Sequence, residues 1–107
     1  MSISDIVKAL ESVKVPVARD HYESEQGYPY IVYAVNPVTA EAADNSAYLH
    51  KSAVQVDLYT AERNDYLMMA AEMALDTLGT AYAESSLYVE NERCFVTTFT
   101  FETLLEV

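Results

Sequence analysis

The chain has 107 residues, 51% of them hydrophobic, which suffices for one core in one domain and not for two. Seventeen acidic residues against six basic ones give a net charge of −11, and Lys8, Lys14, Arg19, Lys51, Arg63 and Arg93 stand singly, so a surface of clustered cations gripping phosphates is excluded. One cysteine excludes an intramolecular disulfide, two glycines exclude a glycine-rich phosphate loop, and no apolar run approaches the roughly twenty residues of a membrane-spanning helix.

In chain order, Ser2-Ile-Ser-Asp5 has the form of a helix start, and Ile3, Ile6, Val7 and Leu10 recur at helical spacing. A first helix is predicted over about 3–12, ended before Pro16. From Val15 to Tyr22 the pattern is extended. Gly27-Tyr-Pro29 then supplies turn residues before the β-forming run Tyr30-Ile-Val-Tyr-Ala-Val35, so the two stretches read as a hairpin-like pair. Tyr30 and Val32 lie on one face of the second strand, with Ile31, Tyr33 and Val35 on the other, and both faces are expected to be covered.

Residues 36–46 have no periodicity and read as a loop of about eleven residues, long for so small a chain. Tyr48 to Thr60 alternates as a strand, with Val54, Val56 and Leu58 facing inward. The clearest helix runs from Asn64 to Leu78, capped by Asn64 or Asp65 and stopped by Gly79. Its core stripe is Leu67, Ala70, Ala71, Ala74, Leu75 and Leu78, and Tyr66, Met69 and Met73 form a second, flanking stripe. Two last strands, 81–89 and 93–104, are joined by Glu90-Asn-Glu92, with Phe95, Thr97, Phe99 and Phe101 on the core face. The fold class is α+β: a mostly antiparallel sheet of about five strands with two helices on one side, in the order α-β-β-β-α-β-β.

The material for catalysis is thin. Asp20, His21 and Glu23 carry metal-ligating atoms, but neighbours along a strand point to opposite faces, so a solvated strand-end histidine is the better reading. Cys94 and His50 make a conceivable thiol and base that nothing in the sequence brings together, and Cys94 reads as a small buried hydrophobe. No catalytic residue, cofactor or metal site is assigned. Nine tyrosines and the Tyr66, Met69, Met73 stripe favour protein–protein contact instead.

Tyr28-Pro-Tyr-Ile-Val-Tyr33, the loop ending Ala43-Asp-Asn-Ser46, Val54-Gln-Val-Asp-Leu-Tyr-Thr60 before a helix ending Ala74-Leu75, and Glu90-Asn-Glu-Arg93 before the final strand resemble the small tail-completion or tail-to-head joining proteins of long-tailed bacteriophages and prophages. The resemblance implies a non-enzymatic virion component made in the host cytoplasm, with a fold related to tail-terminator proteins. It implies a homo-oligomeric ring, expected to be a hexamer in the virion, at the head-proximal end of the tail. Its partners there would be the tail-tube protein and the head connector, with DNA passing through unbound and no membrane involved; whether the chain is monomeric before assembly stays open.

Within that reading Glu41 and Asp44 are expected to face the lumen or a neighbour, where carboxylates repel passing phosphates. Tyr30, Tyr33, Tyr66, Met69 and Met73 are expected at the subunit interface. The alternative from acidity and size is a DNA-mimic or inhibitor protein, which needs its acids on one face; a hydrolase using Asp20 and His21 is a third.

Overall fold

The computed structural model describes residues 1–21, 27–38 and 49–106, with 49, 50 and 106 described by backbone alone. The elements are α1 (Ile3–Glu11), β1 (Val17–Arg19), β2 (Tyr30–Pro37), β3 (Leu49–Thr60), α2 (Asp65–Asp76), β4 (Ala83–Val89) and β5 (Cys94–Glu106). They form one five-stranded sheet in the order β1-β2-β3-β5-β4 with both helices on one side, the α+β arrangement and element order expected from the sequence.

Local chemistry sets the helix ends. The Ser2 hydroxyl accepts from the Asp5 N–H at 3.2 Å while the Asp5 carboxylate accepts from the Ser2 N–H at 3.0 Å, a reciprocal box that satisfies two donors the helix cannot use. The hydrogen bond from the Ser2 backbone, then the one from its side chain, holds the Asp5 carboxyl below its usual value. Asn64 caps α2 by accepting from the Leu67 N–H at 3.0 Å. The chain leaves α2 through Gly79 at φ +73°, a left-handed turn that glycine makes without a Cβ penalty.

Period-two alternation builds the core. Ile31 and Tyr33 of β2, Val54, Val56 and Leu58 of β3, and Phe99, Phe101 and Leu105 of β5 meet Ile6, Ala9 and Leu10 of α1 and Met68, Ala71, Ala74 and Leu75 of α2. β3 and β5 pair antiparallel from Leu49↔Glu106 to Thr60↔Phe95 and form the spine of the sheet. Ala71 and Ala74 take little room in this core, where α2 packs beside α1.

Two expectations are corrected. β1 and β2 are parallel rather than a hairpin: the Ile31 N–H donates to the Pro16 carbonyl at 2.8 Å and the Asp20 N–H to the Tyr33 carbonyl at 2.7 Å, the slanted pattern of a parallel pair. The connection from residue 20 to 29 is much longer than a hairpin turn, so turn residues there do not dictate antiparallel return. The two faces of β2 are also unequal. Ile31 and Tyr33 lie under the helices, whereas Tyr30 and Val32 stand half-buried on the helix-free face. Tyr33, 7% exposed, belongs to this chain's own core and offers no side chain to a neighbouring subunit.

Candidate interaction surfaces

The outer flank of α2 follows from its sequence. Positions 66, 69, 70, 73 and 77 fall on one stripe of the helix, while the core fully takes up Met68, Ala71, Ala74 and Leu75 and partly covers Leu67, Ala70 and Leu78. Tyr66, Met69 and Met73 are consequently 80%, 59% and 63% exposed. With Ser12, Ala70, Ala74 and Thr77 they line a shallow, mainly apolar groove of about 400 Å³ between α2 and the end of α1. Methionine side chains adapt to a partner's shape, so this groove suits contact with a protein surface.

The second surface is the helix-free face of the sheet. Tyr28 stacks on Tyr30 with ring centres 5.6 Å apart, and Tyr30 stacks on Tyr59 at 4.8 Å. Strand register continues the row: Tyr30 is opposite Tyr59, Tyr59 opposite Val96, and Val96 opposite Leu87, which is 66% exposed. The next row is polar, with Asp57 accepting from Thr98 Oγ1 at 2.7 Å and from Gln55 Nε2 at 3.0 Å. The Tyr28 hydroxyl donates to the Glu92 carbonyl at 3.3 Å. A hydrogen bond with Cys94, followed by burial and the nearby charges, pushes the Tyr28 phenol up to about 12; burial first, then Asp57, raises Tyr59. Both shifts favour the neutral phenol at Tyr28 and Tyr59.

Among acids, Glu84 of β4 stands on the helix side of the sheet. Burial first, then the hydrogen bond and charge of Glu72 on α2, push its carboxyl up to about 7, with Arg63 pulling the other way. Neighbouring carboxylates resist joint ionisation, so the Glu84 carboxyl keeps its proton to higher pH than an isolated one.

The remaining sequence candidates do not converge. Cys94 is fully buried and pairs with Val89 at one end of the sheet, whereas His50 pairs with Leu105 at the other, ~35 Å away by strand rise, so no thiol–imidazole pair forms. Asp20 and His21 are exposed at the end of β1, and Glu23, Glu41 and Asp44 lie outside the described residues. Among the described residues no three His, Cys, Asp or Glu side chains gather as a metal site, and no helix is long and apolar enough to cross a membrane. The sequence marked Tyr28, Tyr30 and Tyr59 as amphipathic but not as one stack, because their meeting depends on the β2–β3 register.

No protein-family model matches the chain, and no curated protein matches it either.

Proposed function

We propose that the chain is a non-enzymatic structural subunit of a long-tailed bacteriophage or prophage tail, a tail-completion or head–tail joining protein forming a ring at the head-proximal end of the tail tube. The observation that supports this most is the presence of two different apolar surfaces on opposite faces: the Tyr66, Met69, Met73 flank of α2 and the tyrosine row of the open sheet face. A ring subunit in a stacked tail has to meet neighbours of more than one kind, and head-to-tail contacts join unlike surfaces. The net charge of −11 suits a conduit, since carboxylates repel a passing phosphate backbone. The tail-tube protein and the head connector are the partners this reading assigns.

Electron microscopy and light scattering of the purified chain, alone and with isolated tail tubes, test the reading. Rings, or caps on tube ends, are expected. Met69→Glu with Met73→Glu should weaken them while leaving circular dichroism unchanged. A wild-type chain that neither forms rings nor caps tubes would sink the proposal.

A further inference from the structure

The two edges of the sheet are complementary in backbone, face and charge. β4 presents its outer edge along seven residues, six of them exposed. Its register with β5 runs unbroken from Ala83↔Thr100 to Val89↔Cys94, without a bulge. It also lacks the proline or lysine that commonly blunts an open edge. At the opposite edge, the bonds to the Pro16 carbonyl and from the Asp20 N–H show that even-numbered residues of β1 face β2, so the Val17 backbone groups and the Arg19 N–H point outward, while the Arg19 carbonyl accepts from the His21 N–H at 2.7 Å and has to share or exchange that bond.

We propose that β4 of one subunit pairs antiparallel with β1 of the next, continuing the sheet from copy to copy through a heterologous contact. This rests on the ring reading above and specifies its lateral interface. Charge selects the partner. The β4 edge carries Glu84 and runs into Glu90 and Glu92, all exposed, while β1 carries Arg19 and is preceded by Lys14, also exposed; Asp20 is the acid at that end. Neither Lys14 nor Arg19 makes an ion pair among the described residues. Two β4 edges brought together would oppose acid to acid, which disfavours a two-fold dimer.

Strand parity agrees. Arg19 aligns with Tyr33 and Glu84 with Phe99, both core residues, so Arg19 and Glu84 stand on the helix side of their sheets. With Val17 of the neighbour opposite Tyr88 and Ala18 opposite Leu87, Arg19 falls opposite Ser86, diagonal to Glu84 and within reach of a long side chain. The same register carries Lys14 to the Glu90–Glu92 turn. It covers Leu87 and Tyr88, 66% and 49% exposed, and brings a cation to the Glu72–Glu84 pair. Strand directions permit it with both helices of every copy on the same side, because β1 and β5 run one way and β4 the other.

Charge reversal in two separate chains provides the test. Lys14→Glu with Arg19→Glu makes both edges of one variant acidic, and Glu84→Lys with Glu90→Lys makes both edges of the other basic. By sedimentation velocity each variant alone should associate about a hundredfold more weakly than wild type, and an equimolar mixture should assemble again. Ala18→Cys chains mixed with Leu87→Cys chains should form a disulfide heterodimer that neither forms alone. Thermal melts confirm that the variants are folded. Wild-type association by both variants alone, a mixture that stays apart, or no cross-link would overturn edge pairing while leaving the ring reading intact. A wild-type chain monomeric at millimolar concentration would also overturn it, and tube capping would then decide the ring reading separately.

Discussion

Tyr33 and Tyr66 carry the same side chain into opposite roles, one 7% exposed under the helices and the other 80% exposed on α2. Removing the first leaves a cavity in a packed core, so Tyr33→Ala should cost about 3–5 kcal/mol by urea denaturation. Tyr66→Ala should stay within about 0.5 kcal/mol. The Glu84 carboxyl gives a pH signature with a definite sign. Its ordinary value of 4.5 is raised in the fold to about 7, so its contribution to stability is fully present below pH 4.5 and is lost as pH rises through 7. Glu84 is exposed, and solvent screening keeps the effect well below what the full shift implies. Glu84→Gln should therefore flatten the fall in melting temperature between pH 5 and pH 8; an unchanged slope would show that the fall arises elsewhere.

At the scale of elements, both helices and the long strands were legible because their periods are unambiguous. Ser2 and Asp5, then Asn64 and Gly79, mark helix boundaries with side-chain chemistry that acts within a few residues. Ser2→Ala and Asn64→Ala should each cost about 1 kcal/mol in thermal or chemical unfolding, since each leaves a helix N-terminus without its acceptor. The β1–β2 pairing was not legible, because parallel and antiparallel neighbours share the same alternation and only the path of the connecting residues separates them. Met68 was missed for a related reason: it sits at the margin of the α2 stripe, where the sheet's twist decides which side is covered, and it is 9% exposed. The exposed flank of α2 was legible as surplus, since one helix carries two apolar stripes and one sheet takes one.

For the whole molecule, helices on one side leave three kinds of surface: an apolar outer flank, an aromatic sheet face, and two edges of opposite charge. An assembly using all three has neighbours in several directions, as a ring within a tail does. Of the loop expected over 36–46, Asn36 and Pro37 instead extend β2 in register with Ala53 and Ser52, while Glu41 and Asp44 lie outside the described residues, and their role as a lumen or neighbour contact stays a proposal. Glu41→Lys with Asp44→Lys should reduce infectivity in a complementation assay, and full activity would rule that role out.

The ladder of rings from Tyr28 through Tyr30 to Tyr59 also gives the protein an optical handle. The chain has no tryptophan, so near-ultraviolet dichroism comes chiefly from its tyrosines, and the stacked rings are held in fixed chiral relation across two strands. Tyr30→Leu should remove much of that signal while sparing the far-ultraviolet spectrum. Followed during assembly, the signal would report contact on the open sheet face without an added label.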